Sequence, residues 1–177
     1  MTAIDDKRRE LPFLGDPVDE GAGSAEMDLG DGRGHARDYA NGSIYFTPQT
    51  GAHEVHGAIR VKWAQLGGNR GFLGYPVTDE TGTPDGRGRF NHFEHGSIYW
   101  TPQTGAHEVH GAIRDLWGSM GFERSRLGYP VSDEMGMSGG RVSRFEGGEI
   151  TWTPTGGPKA VLSSGFGDDN VGVPADG

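Results

Sequence analysis

GSIYFTPQTGAHEVHGAIR, residues Gly42–Arg60, returns as GSIYWTPQTGAHEVHGAIR at Gly96–Arg114, and only Phe46 against Trp100 differs in 19 positions. The offset is 54 residues, a period that marks a tandem-repeat architecture. A decayed third copy, GEITWTPTGGPKAV, begins at Gly148 and aligns Trp152 with Trp100 and Pro154 with Pro102. A second block recurs in phase: LGDPVDE at Leu14–Glu20, LGYPVTDE at Leu73–Glu80 and LGYPVSDE at Leu127–Glu134. The chain thus reads as two full units flanked by an N-terminal and a C-terminal half unit.

Local chemistry gives each unit a form. Ile59/Trp63 and Ile113/Trp117 stand four apart, which puts each pair on one face of a short helix starting near His56 or His110. The Leu-Gly-Tyr-Pro turn follows, with Pro fixing φ and Gly allowing the bend. Thr81–Gly88 and Met135–Gly140 read as polar loops. RFNHFEHGSIYWTP reads as a hairpin around His95–Gly96, and TGAHEVHG adds a turn and a third strand. The predicted fold is mainly β with short helices, an α+β repeat in which each unit is a small antiparallel sheet plus one helix. Such a sheet cannot bury its face alone, so the units pack on each other; a propeller-like ring is expected, with a linear stack as the competing geometry. The predicted organisation is a flexible N-terminus at 1–10, one repeat domain at 11–162 with units about 11–60, 61–114 and 115–162, and a flexible tail at 163–177. Residues 21–34 read as a long loop.

Composition fits and excludes. With 33 Gly and 10 Pro in 177 residues and only 33% hydrophobic content, a thick helical core is out of reach, and aromatic side chains must supply much of the burial. A net charge of -9 disfavours a nucleic-acid partner. There is no Cys, hence no disulfide, thiolate chemistry or Cys-based zinc site. No apolar run is long enough to span a membrane, and Met1–Arg9 lacks the apolar segment of a secretory signal.

The period, the LGYP-V-[ST]-DE block, the GSIYW-TP-TGAHEV-G-I run and the Trp before the glycines together resemble the LGFP repeat, over roughly residues 11–160. The resemblance implies an actinobacterial cell-envelope protein, secreted or envelope-associated, whose repeats hold an enzyme on the wall with arabinogalactan as ligand. Here no catalytic domain accompanies the repeats, which suggests a free-standing lectin-like protein or a targeting subunit.

No nucleophile elbow, phosphate-binding glycine loop or HExxH motif occurs, so no catalytic residue and no cofactor are expected. His53/His56 and His107/His110 invite a metal, but i and i+3 on a strand point to opposite faces, and no metal site is assigned. One His of each pair is expected to bond within the turn and the other to cap the following helix. The pairs Asp79/Glu80 and Asp133/Glu134, with Asp19/Glu20, repeat in every unit, which favours backbone capping over catalysis. Trp63 and Trp117 are expected in the core. An exposed aromatic beside His, Glu and Arg is the make-up of a sugar site. The glycan-binding set expected here is Trp100 with His107, Glu108 and Arg114, mirrored by Phe46, His53, Glu54 and Arg60, with Trp152 in the third copy. The functional expectation is a non-catalytic module for cell-wall polysaccharide. A protein–protein adaptor in a secreted complex is the alternative, and a small hydrolase using the Asp/Glu pairs is a third.

Overall fold

A computed structural model describes residues 1–18 and 26–163, and the chain divides into two compact units, Met1–His110 and Gly111–Gly177. The first unit holds two helix-plus-sheet modules and the second holds one.

The second module shows how the motifs work. Helix α2 (Gly57–Gln65) buries Ile59 and Trp63, each 2% exposed, on the one face that their four-residue spacing predicts. The chain then reaches Leu73-Gly74-Tyr75-Pro76. Gly74 stands at φ +74°, where an added Cβ would lie 2.6 Å from Glu94 Oε1, so this turn requires glycine. The Trp63 indole N–H donates to the Gly74 carbonyl at 3.0 Å and ties the helix to the turn. Strands β5 (Thr81–Gly82), β6 (Arg89–Phe93), β7 (Gly96–Thr101) and β8 (Gly105–His110) follow as an antiparallel meander in the order β5-β6-β7-β8. The hairpin turns at Glu94–His95, one residue before the expected His95–Gly96. The TPQTG segment closes the next turn: Thr104 N–H donates to Thr101 Oγ1 at 3.0 Å, and Gly105 takes φ +72°.

The first module repeats this plan with α1 (Ala3–Glu10) and the sheet β1-β2-β3-β4, formed by Met27–Asp28, His35–Tyr39, Gly42–Thr47 and Gly51–Val55. In the second unit, α3 (Gly111–Met120) precedes β9 (Met135–Met137), β10 (Gly140–Phe145), β11 (Gly148–Thr153) and β12 (Gly157–Leu162), ordered β12-β11-β10-β9. There the Trp117 indole donates to the Gly128 carbonyl at 3.1 Å, the same tie as in the second module.

Several expectations change. Ala3–Glu10, within the segment expected to be a flexible N-terminus, forms α1, held by a reciprocal capping box between Thr2 and Asp5 and by the fully buried Ile4. The chain therefore has no half units among the described residues: each of the three sheets has its own helix. The boundaries at 60/61 and 114/115 cut through α2 and α3, because each helix packs on the sheet that follows it: α1 on β3 and β4, α2 on β7 and β8, α3 on β11 and β12. The loops Thr81–Gly88 and Met135–Gly140 supply the short edge strands β5 and β9, and Met27–Asp28 within the expected 21–34 loop does the same for the first sheet. Asp19/Glu20 and the tail from residue 164 lie outside the described residues.

Within the first unit α2 also serves the preceding sheet. Val55 and Tyr45 pack into the core of Ile59, Trp63, Leu73, Phe93 and Ile98, and Tyr45 meets Trp63 edge-on with ring centroids 4.6 Å apart. Both faces of the first sheet are thus covered, α1 lying on the Ile44/Phe46 face and α2 on the Tyr45/Val55 face. The third sheet presents the equivalent face differently. Its register puts Thr151, Glu149 and Lys159 where the first sheet has Tyr45, Ser43 and His53, and Val161, the counterpart of the fully buried Val55, is 49% exposed.

Candidate functional site

Strand register decides which expected site residues can meet. Tyr45 pairs with His53, Phe46 with Ala52 and Ile44 with Glu54. Phe46 and Glu54 therefore share one face while His53 joins Tyr45 on the other; β7 and β8 separate Trp100 and Glu108 from His107 in the same way. The expected glycan-binding set does not converge on one point. Phe46 packs half-buried against the α1 core. Glu54 and Glu108 are 1% and 2% exposed. His53 and His107 bond back to the Thr50 and Thr104 carbonyls at 2.7 Å, the turn role expected of one His in each pair. Arg114 lies over the Phe122 ring at 5.4 Å, and Trp152 on β11 pairs with Arg141 of β10 and Pro158 of β12.

Arg60 is the expected residue that a sizeable cleft does gather. The cleft, about 500 Å³, is lined by Tyr45, Arg60, Val61, Trp63, Ala64, Gln65 and Gly68. Its floor is aromatic and aliphatic, and its polar groups are the Tyr45 phenol, the Arg60 guanidinium and the Gln65 amide. Arg60 is oriented by Asp38, Nη2 to Oδ1 at 3.4 Å. Burial, with Asp38 nearby, holds the Tyr45 phenol above its usual pKa, so at neutral pH it stays a hydroxyl that can donate and accept. Tyr45 was legible as a strand aromatic, but the sequence does not tell which of Tyr45 and Phe46 faces an opening; Val61 and Gln65 carry no sequence signal. Trp100 lines a smaller cleft of about 190 Å³ with His56, Gly57, Ala58, Ile59 and Glu80.

A second cluster joins the two modules of the first unit and explains the repeated acidic pair. Asp79 Oδ1 accepts from the Glu54 N–H at 3.2 Å and lies 3.2 Å from His53 Nδ1, while Oδ2 accepts from Lys7 at 2.9 Å. Burial alone would raise the Asp79 pKa; the bonds from His53, Lys7 and the Glu54 N–H outweigh it and hold the carboxyl at about 2. The Glu80 N–H donates to Glu54 Oε1 at 2.8 Å, and Arg89 Nε donates to Glu80 Oε1 at 3.1 Å. Glu134 and Arg141 repeat the last contact at 3.0 Å. His56 sits at the N-cap position of α2 but its side chain makes no capping bond, against expectation. Its Nδ1 instead lies 2.7 Å from Glu54 Oε2 and 2.8 Å from Glu80 Oε2, which raises its pKa to about 9.

These layers define a tandem-repeat protein built from three modules of one helix and one four-stranded sheet. The LGFP repeat family model matches residues 14–71, 73–125 and 127–168, and the chain belongs to that family. A search of curated proteins found no match. Among the described residues no helix is long and apolar enough to cross a membrane.

Proposed function

We propose that the protein is a non-catalytic binding module for a cell-envelope polysaccharide of the arabinogalactan kind, secreted or held at the envelope, with the Tyr45–Arg60–Gln65 cleft as a sugar subsite. The observation that carries this reading is the cleft itself: it has room for one or two sugar rings, an aromatic and aliphatic floor for C–H faces, and three side chains that exchange hydrogen bonds with hydroxyls. Trp100 and Trp152 belong to the reading as further, weaker contacts. Repetition of weak sites along a polymeric ligand raises overall affinity through effective concentration, and a propeller-like arrangement of units would present such sites at regular intervals. No catalytic step is assigned, since Asp79 and Glu80 are taken up in the clamp between modules. The test is sedimentation of purified protein with insoluble actinobacterial cell wall before and after removal of arabinogalactan. Binding to intact wall and not to stripped wall supports the reading, and a protein that stays soluble with both overturns it for that ligand.

The adaptor reading has its own observation. On the third sheet a depression of about 570 Å³ is lined by Val131, Arg144, Phe145, Gly148, Glu149, Val161, Leu162 and Ser163. Val131, Val161 and Leu162 are 41%, 49% and 38% exposed there, an apolar surface suited to another protein. Val161→Asp would abolish capture of such a partner and leave wall binding unchanged.

A further inference from the structure

The contact between Glu54, His56 and Glu80 is unusual in its donor count. We propose that these three side chains form a binding site for a divalent transition-metal ion of the zinc class. Glu54 and His56 stand two apart at the end of β4, so both point to the same face, and Glu80 arrives from the Asp-Glu block of the next module. Their ligand atoms converge: His56 Nδ1 is 2.7 Å from Glu54 Oε2 and 2.8 Å from Glu80 Oε2, and the three groups are the one such trio among the described residues. An imidazole nitrogen carries at most one proton, and here it bonds to Glu54. Glu80 Oε2, shielded from solvent on a side chain only 8% exposed, then faces the His56 ring at 2.8 Å with no proton of its own to accept. One imidazolium shared by two buried carboxylates leaves an excess of negative charge that a divalent cation would meet more fully.

A metal ion displaces the Nδ1 proton to solvent and takes one lone pair from each of the three groups. In a tetrahedral shell with bonds of about 2.1 Å neighbouring donors sit about 3.4 Å apart, inside the 4.8 Å that holds all three ligand atoms here. One imidazole and two carboxylates suit zinc and its first-row neighbours, whereas calcium prefers oxygen ligands alone. The outer shell is in place: Arg89 holds the other oxygen of Glu80, and the Glu80 N–H holds the other oxygen of Glu54. The cleft beside His56, Glu80 and Trp100 gives water a way to complete the coordination. The two HEVH histidines lie on opposite faces of the strand, so the motif works as Glu-x-His and not as a His pair. Glu108 and His110 repeat the first contact at 2.7 Å.

The experiment is calorimetric titration of the chelator-stripped full chain with zinc chloride, with calcium chloride in parallel. The expected result is saturable zinc binding with no calcium heat in the same range. Glu80→Gln and His56→Gln each weaken it by more than the tenfold that loss of an outer-shell partner costs, or lower the stoichiometry by one, while exposed His95→Gln changes nothing. Should either variant unfold by circular dichroism, ¹⁵N spectra of the seven histidine rings of the unaltered chain decide: zinc must move the assigned His56 Nδ1 resonance. No saturable zinc binding, binding untouched by both substitutions, or shifts confined to other histidines would overturn the proposal.

Discussion

Removing one oxygen atom, in Tyr75→Phe, tests how the two modules of the first unit are joined. Tyr75 is fully buried, and its hydroxyl donates to Asp31 Oδ2 at 2.5 Å, with Asn69 donating to the hydroxyl at 3.4 Å. Asp31 comes from the loop before β2 and also accepts from the backbone N–H groups of Arg33 and Gly34. Arg33 in turn lies over the Tyr75 ring at 5.1 Å and grips both oxygens of Glu94, at 3.0 and 2.6 Å. A hydrogen bond to a charged group nets about 1.5–3 kcal/mol. Asp31 keeps its backbone donors and is partly open to water, so the lower half of that range applies, about 1.5–2 kcal/mol, or a fall in Tm of roughly 2–4 °C per kcal/mol. The Tyr75 bond is the main cause of the lowered Asp31 pKa. A depressed carboxyl contributes stability that is fully present above its unfolded value, near 3.9, and lost progressively as pH falls from there through its lower folded value. Urea unfolding of both proteins from pH 7 down to pH 2 reads the prediction: the difference is largest at pH 7 and shrinks toward pH 2, as Asp31 of the variant protonates before that of the unaltered chain. A difference under about 0.5 kcal/mol at pH 7, where a charged bond should exceed that, or one that grows on acidification, would show that the Tyr75–Asp31 bond does not join the modules.

Other expected outcomes follow from single contacts. An alanine Cβ at Gly34 would lie 2.5 Å from the Tyr75 hydroxyl and 2.6 Å from the Phe46 carbonyl, so Gly34→Ala should destabilise by about 1–3 kcal/mol in the same urea assay. Trp63→Phe leaves the Gly74 carbonyl without its indole donor and opens space in the core; a loss of about 2–4 kcal/mol by thermal unfolding is expected. Arg60→Glu reverses the charge in the proposed sugar cleft at a partly exposed position, so wall sedimentation should weaken by about tenfold, roughly 1.4 kcal/mol, with Tm nearly unchanged.

The repeat made most of the fold legible. Ile59 and Trp63 announced a helix face, LGYP a turn, and the GSIYW run a strand, because each signal is local and occurs twice with little change. Helix α1 was missed because AIDDKRRE has no Ile–Trp spacing; Ile4 alone carries its burial, and the Thr2–Asp5 box that starts it is short. Strands β5 and β9 were missed because Thr-Gly and Met-Gly-Met are held by pairing with β6 and β10, not by propensity. The site residues were harder for one physical reason. Period-2 alternation puts Tyr45 and Phe46 on opposite faces but does not say that both faces of this sheet are covered, and Arg60 reaches Tyr45 only because α2 lies on that side. The clamp around Tyr75 did have a signal: DGRG stands at Asp31–Gly34 and again at Asp85–Gly88, 54 residues on.

The most direct test of the central claim is a ¹H–¹⁵N titration of the full chain with a soluble arabinogalactan oligosaccharide. Saturable shifts clustered at Tyr45, Arg60, Val61 and the Gln65 side-chain amide are expected, with Val131, Val161 and Leu162 unmoved. No saturable shift, or a shift map confined to the third sheet, would contradict the claim.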